Sequence, residues 1–267
     1  MCLHDVLMDE AARHPIFIDR GGTFTDCIGY DRAAGVLRVA KVLSSDRAPL
    51  TGVRRLLDLD DAAPIPPCDI RMGTTLGTNA LLERRGARTA LLITRGFGDL
   101  LLVDDQTRPS IFALRIERPE PLYEAVVEVD GRIGADGARV DPLDEVALRA
   151  ELRTLRDRGI ESLAIVFAHA YRDPTDELRA RALALEAGFT EISLSHEVVA
   201  ERGLLARAHT TVVDAYLTPP IARYVGALLR ELPGSRLRIM QSHGGLGDGR
   251  RLRGRDAVLS GPAAQFA

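Results

Sequence analysis

Three short stretches in which apolar and polar residues alternate, over about residues 15–19, 25–31 and 36–43, predict three consecutive antiparallel strands. The period then changes. Residues 51–59 place Val53, Leu56 and Leu57 on one helical face, and Pro64-Ile65-Pro66-Pro67 stops that helix. A short strand around Ile70-Arg71-Met72 runs into the polar loop Gly73-Thr74-Thr75, from which a helix is expected to start near Thr78 and to end in a left-handed cap at Gly86. Strands over 88–94, 163–167, 191–194 and 237–240 alternate with helices over 142–158, 173–188 and 210–231, the last carrying a bend at Pro219-Pro220. Strand, helix, strand in this order predicts parallel crossovers and an α/β fold around a largely buried sheet.

Bulk composition narrows the function classes. The chain has 267 residues, 46% of them hydrophobic and 27% charged, as in a soluble globular protein of roughly 1.5 to 2 domains. A net charge of −3 and a complete lack of tryptophan give no footprint for nucleic acid or an anionic membrane. No apolar run reaches the ~18 to 20 residues of a membrane span. Three cysteines without CxxC spacing fit a reducing, cytoplasmic setting, and residues 1–13 read as a loosely held leader.

The chemistry concentrates at Asp19-Arg20-Gly21-Gly22-Thr23-Phe24-Thr25-Asp26, a glycine-threonine turn between the first two strands. Glycines allow positive φ and close approach of a ligand, while N–H groups and the Thr23 and Thr25 hydroxyls can point at anionic oxygens. Asp19 can hold a cation such as Mg2+ through water. A plain hairpin turn requires neither the two threonines nor the flanking aspartates Asp19 and Asp26. A second polar cluster, Thr74, Thr75, Thr78 and Asn79, sits at a strand-to-helix loop, where it either binds a small polar ligand or caps the helix.

Other readings fail on the residues. The single lysine, Lys41, follows no glycine-rich loop, so Walker and protein-kinase sites are excluded. A second strand after the glycines contradicts a Rossmann fingerprint. Six histidines show no zinc-hydrolase spacing, and Ser242 lies outside GxSxG. Gln241-Ser242-His243-Gly244-Gly245, Ser260-Gly261-Pro262-Ala263 and the arginines at 250, 251, 253 and 255 read as turns and exposed connectors, and His169 and Tyr171 as packing residues.

Taken together, the segments from Asp19 to Asp26, Arg71-Met72-Gly73-Thr74-Thr75, Thr78-Asn79-Ala80-Leu81-Leu82-Glu83-Arg84, Leu92-Ile93-Thr94-Arg95-Gly96-Phe97, Val212-Val213-Asp214-Ala215-Tyr216-Leu217-Thr218-Pro219, Gln241 to Leu246 and Leu259 to Ala263 resemble the hydantoinase A and 5-oxoprolinase family. The resemblance implies a ribonuclease-H-like mixed sheet with flanking helices, of the actin-like ATPase superfamily. It implies a family N-terminal domain over 14–190 and the beginning of the hydantoinase A domain over 191–267. The implied activity is ATP- and metal-dependent opening of a cyclic amide such as 5-oxoproline or a hydantoin, and carboxylating relatives act on ketones. On that resemblance Gly21, Gly22, Thr23, Thr25 and Asp26 would hold ATP phosphates, Asp19 would position Mg2+, and Thr74, Thr75, Thr78 and Asn79 would face the substrate. The expected partners are the small cyclic amide and a second lobe or hydantoinase B-type subunit, with a homo-oligomer left open.

The chain departs from the family pattern at Ala264 and Gln265, where two glycines are usual, at His243, where Asp is usual, and at Asp214, where Asn is usual. Family members also continue for hundreds of residues, through a second phosphate loop and an adenosine site. The expectation is therefore a chain that supplies half of a nucleotide cleft and turns over no 5-oxoproline alone, and the rival expectation is a non-catalytic piece that binds a partner lobe.

Overall fold

In the computed structural model, which describes residues 13–31, 34–106 and 120–258, strand and helix alternate as the periodicities require. The leader and Ser260-Gly261-Pro262-Ala263 lie outside the described residues, apart from Arg13. In chain order the strands are β1 His14–Arg20, β2 Phe24–Asp31, β3 Val36–Leu43, β4 Cys68–Thr74, β5 Thr89–Thr94, β6 Ala125–Val129, β7 Arg132–Ile133, β8 Arg139–Asp141, β9 Ser162–Val166, β10 Glu191–Leu194, β11 Arg236–Met240 and β12 Leu246–Asp248. The helices are α1 Ala48–Leu56, α2 Leu76–Leu82, α3 Leu100–Val103, α4 Glu145–Asp157, α5 Thr175–Glu186, α6 Ser195–Val198 and α7 Leu204–Arg230. None of them, among the described residues, is long and apolar enough to cross a membrane.

The chain forms two compact units, one of residues 1–85 and 220–267, the other of residues 86–219. The first unit holds a six-stranded mixed sheet in the order β12-β11-β4-β1-β2-β3. Here β1, β2 and β3 form the expected antiparallel ribbon, and β4 and β11 run parallel to β1. Alternation decides which side is core: Ile16, Ile18, Cys27, Ile70 and Met72 point to one face and are buried, and α1 packs on β1, β2 and β3. Helix α1 starts at Ala48, earlier than the spacing predicts, because Pro49 suits the first turn, and it stops before Asp58, which takes φ +51°. Any Cβ at its Gly52 would overlap the Cys27 sulfur, so the helix lies directly on β2. Burial pushes the free thiols of Cys27 and Cys68 up to about 12 and about 11, leaving them protonated and inert.

The second unit holds a four-stranded parallel sheet, β10-β9-β5-β6, with the predicted crossover through α5. Leu92, Ile165, Leu152 and Leu183 pack on one face, and Leu91, Val166, Ala208 and Val212 on the other. Helix α7 begins at Leu204, before the expected residue 210, and runs unbroken through Pro219-Pro220. A proline leaves the carbonyl four residues back without its helical donor. Both freed carbonyls are satisfied: the Ser162 hydroxyl donates to Ala215 O at 2.8 Å, and Ala87 N donates to Tyr216 O at 2.9 Å. Gly86 is not a left-handed cap. That conformation falls to Arg84, at φ +56°, and glycine is needed at 86 because the Tyr216 ring fills the space of a side chain.

Candidate functional site

Because β1, β4 and β11 are parallel neighbours, their carboxyl ends open on one edge of the sheet, where α/β proteins collect ligands. Asp19 to Thr23 leave β1 there, Thr74 to Asn79 leave β4, and Gln241 and Ser242 leave β11. The first two loops are tied together. Thr75 N and the Thr75 hydroxyl both donate to Arg20 O, at 3.2 and 3.4 Å, and a Cβ at Gly22 would lie 3.7 Å from Asn79 Nδ2. Residues separated by more than fifty positions thus share one rim.

The β1–β2 connection is only Gly21-Gly22-Thr23. Gly21 N donates to Phe24 O at 3.0 Å, and a Cβ at Gly21 would approach the same oxygen to 3.0 Å. Neither Gly21 nor Gly22 takes positive φ, so the glycines serve close approach and not the left-handed backbone that turn chemistry suggests. Gly22 and Thr23 are exposed. Thr25 is fully buried, and its hydroxyl pairs with Ser44 Oγ at 2.9 Å. Ser44 then donates to Gly21 O at 2.7 Å, and its N–H to Thr23 O at 2.9 Å. Thr25 and Ser44 therefore brace the turn from below. Ser44 was invisible to motif reading; its signal is the register Phe24↔Leu43, which sets the next residue beside Thr23.

The four polar residues after β4 divide in the same way. Thr74 is buried and its hydroxyl accepts from Leu76 N at 3.1 Å, so the first turn of α2 is capped by this residue and not by Thr78. Thr78 sits inside α2 and donates to Val258 O. Thr75 and Asn79 face the glycine turn, linked to each other by Asn79 Nδ2 donating to Thr75 Oγ1 at 3.3 Å. On β11, Gln241 to Gly245 make a tight hairpin into β12, closed by Gln241 N donating to Gly245 O at 2.8 Å with Gly244 at φ +86°.

Electrostatics distinguish Asp19. It stands directly across the ladder from Asp26, which in turn stands across from Lys41, so the three side chains form a row on one sheet face. Lys41 Nζ donates to both Asp26 oxygens at 3.1 and 3.2 Å. Desolvation, and secondly the negative charge of Asp26, hold the Asp19 carboxyl above its ordinary value near 3.8. A cation beside Asp19 would relieve that cost. Among the described residues no group of three His, Cys, Asp or Glu could hold a metal. Two carboxylates suit Mg2+, which keeps waters and draws its other oxygens from phosphates, and do not suit zinc.

In the second unit the chemistry is buried. Glu177, with no exposed surface, accepts from Phe167 N at 2.9 Å, from His196 N at 3.1 Å and from the Ser195 hydroxyl. Arg207, also fully buried, donates to Ser195 and to Phe167 O and lies over the Tyr171 ring at 5.6 Å. Tyr171 and its edge-on neighbour His169 belong to this packing.

Known proteins match the chain over nearly its whole length. Family models described as hydantoinase/oxoprolinase N-terminal region and hydantoinase/oxoprolinase match residues 15–188 and 207–266. The 5-oxoprolinase of Saccharomyces cerevisiae is 41% identical over 93% of this chain, and 5-oxoprolinase 1 of Arabidopsis thaliana 41% over 92%. The chain spans 23% and 22% of those two proteins. Among solved structures, the ATP-dependent caprolactamase of Pseudomonas jessenii superposes with a TM-score of 0.78 at 33% identity, over 94% of this chain and 39% of that one. Nucleotide-free acetone carboxylase superposes with a TM-score of 0.76 at 22% identity, a likeness of fold.

Proposed function

The chain belongs to the hydantoinase/oxoprolinase family, and from that premise we propose that its first unit is one jaw of an ATP-dependent enzyme that opens cyclic amides. The observation that carries the reading is the shared rim at the carboxyl ends of β1 and β4. There the exposed Gly22 and Thr23, the Thr75–Asn79 pair and the charge-strained Asp19 converge. Backbone N–H groups of the glycine turn would hold the nucleotide's phosphates, and Thr25 with Ser44 would keep the turn rigid.

Asp19, with Asp26 behind it, would hold Mg2+ through water, and the ion would supply neutralisation of the phosphoryl charge. The amide carbonyl is dulled by the resonance behind its ~18 to 20 kcal/mol rotation barrier. Transfer of the terminal phosphoryl group of ATP to the amide oxygen ends that donation and makes the oxygen a leaving group. Water then adds to the carbon, the ring C–N bond breaks with a proton passing to nitrogen and leaves an acyl phosphate, and a second water hydrolyses that to the carboxylate and free phosphate. Thr75 and Asn79 would orient the ring at this rim. Buried free thiols fit a cytoplasmic setting.

Coverage of 22% to 39% of the relatives favours a jaw that works only against further polypeptide, whether in the same chain or from a partner. ADP release in the presence of ATP, Mg2+ and 5-oxoproline or hydantoin tests this. The 267-residue chain is expected at the background level of Asp19→Ala, whereas fusion to the rest of the caprolactamase chain restores ring-dependent release that Asp19→Ala cuts by about 10² or more. Release that ignores the ring amide, or survives Asp19→Ala, contradicts the proposal.

A further inference from the structure

Among the described residues of the first unit, helices cover the six-stranded sheet on one side only. Strand order β3-β2-β1-β4-β11 means that the passage from β3 through α1 to β4, and the passage from β4 through the end of α7 to β11, step across the sheet in the same direction. Right-handed crossovers put both helices on the same face. They are found there: Leu50 of α1 and Tyr224 and Leu228 of α7 line one hollow, Arg47 bonds to Glu231 at 3.2 Å, and the Arg20 guanidinium stacks 4.7 Å from the Tyr224 ring. By the same rule, no crossover up to β11 can reach the opposite face.

That opposite face is apolar where an antiparallel ribbon open to water is expected to be polar. Leu37, Val39 and Leu43 of β3 are 69%, 70% and 71% exposed, and Phe24, Ile28 and Tyr30 of β2 are 40% to 44% exposed. The register sets Ile28 between Phe17 of β1 and Val39 of β3, and Tyr30 beside Leu37, so these five form one patch, while Phe24 and Leu43 lie beyond the charged row Asp19, Asp26 and Lys41. Such patches mark interaction surfaces. Next to the patch a hollow of about 490 Å³ opens over β1, β4 and β11, lined by Phe17, Met240 and Leu246, by Arg71 and Arg238 on one side and by Asp19 and Asp26 on the other. Those two arginines share the single carboxylate of Asp69, at 3.2 and 2.6 Å, which leaves the β4–β11 side of the hollow positive, across from Asp19 and Asp26.

We propose that the open face seats an amphipathic helical layer drawn from the part of the polypeptide that the longer relatives carry outside the stretch matched here. Its apolar side lies on Phe17, Ile28, Tyr30, Leu37 and Val39, and carboxylates on its flank meet Arg71 and Arg238, away from the Asp19 and Asp26 end of the hollow. The caprolactamase builds the same fold over 94% of this chain with 39% of its own, so the rest of that chain is available to the face. The inference goes beyond the nucleotide reading and stands even if the glycine turn takes no phosphate.

The test titrates the rest of the Pseudomonas jessenii caprolactamase chain, produced as a separate polypeptide, into the full 267-residue chain. A one-to-one complex with a Kd of about 10 μM or tighter is expected. The double variant Leu37→Asp with Val39→Asp weakens it about 100-fold, while Val146→Asp, at an 80% exposed position of the other unit, leaves it unchanged. Both variants keep the parent's circular dichroism and melting temperature, because the altered side chains are exposed. Absence of a complex, or a complex indifferent to the double variant, overturns the proposal. So does a chain that dimerises alone in sedimentation velocity and is made monomeric by the same double variant, since a second copy would then occupy the face.

Discussion

The two sheets of this protein solve the same burial problem in different ways. In the parallel sheet of residues 86–219, neighbouring side chains on one strand, Leu91 and Leu92, point to opposite faces and both have no exposed surface. In the mixed sheet of the other unit, neighbours part company: Ile18 is 4% exposed and Phe17 is 45% exposed. The parallel sheet is sealed, and its charged residues Glu177 and Arg207 spend their hydrogen bonds inside the core. The mixed sheet keeps polar groups on an open rim and apolar groups on an open face. The proposed site lies in the unit whose sheet keeps an open rim, and the polar groups of the other unit are spent on its own core.

Cavity-forming substitutions give the largest contrast. Leu91→Ala and Leu92→Ala are each expected to cost about 2 to 5 kcal/mol in urea unfolding, whichever face they line. In the mixed sheet Ile18→Ala should cost as much, whereas Leu37→Ala should stay within about 0.5 kcal/mol. A large loss for Leu37→Ala would mean that the face is already covered.

Smaller effects separate the units by sign. Asp19 has a raised pKa, so its charged form opposes folding at neutral pH, and Asp19→Asn should raise the melting temperature by on the order of 1 °C. That gain fades as pH falls through the raised folded value and is gone below the ordinary value near 3.8, where the carboxyl is protonated folded or unfolded. Glu145 in the sealed unit behaves oppositely. Arg179 donates to it at 2.7 and 2.6 Å and holds it down to about 2 from an ordinary 4.5. Its contribution is present above pH 4.5 and lost as pH falls toward 2, so Glu145→Gln should lower the melting temperature slightly at pH 7 and not at pH 2. Melting curves of both variants across pH check the two signs, and two shifts of the same sign would break the contrast.

Much of this was legible in the residues because periodicity reports burial directly. The β1–β2–β3 ribbon, the apolar runs of β5 and β9 and the crossover through α5 lie within a few residues of where alternation and helical spacing put them. Tertiary contacts moved the rest. Helix α7 survives two prolines because Ser162 and Ala87, distant in sequence, donate to the carbonyls the prolines leave bare. The turn motif expected the Thr25 hydroxyl on the phosphates, but its period-two position points it inward to Ser44, and no spacing rule reveals that partner. The first unit is closed by residues 220–267, which a reading in chain order cannot join to its beginning. The open apolar face likewise needs strand order to be seen, since each strand alone looks like ordinary alternation.

The central claim is that the rim formed by the glycine turn and the β4 loop receives a nucleoside polyphosphate. Isothermal titration of ATP with Mg2+ into the chain, and into Gly22→Val, tests it most directly. Gly22 is exposed and a Cβ there would meet only Asn79 Nδ2 at 3.7 Å, so the variant keeps the fold while crowding the ligand. The account predicts a Kd of about 1 mM or tighter for the parent, weakened at least about tenfold by the substitution. No heat of binding at several times about 1 mM, or equal affinity in the two proteins, would contradict it.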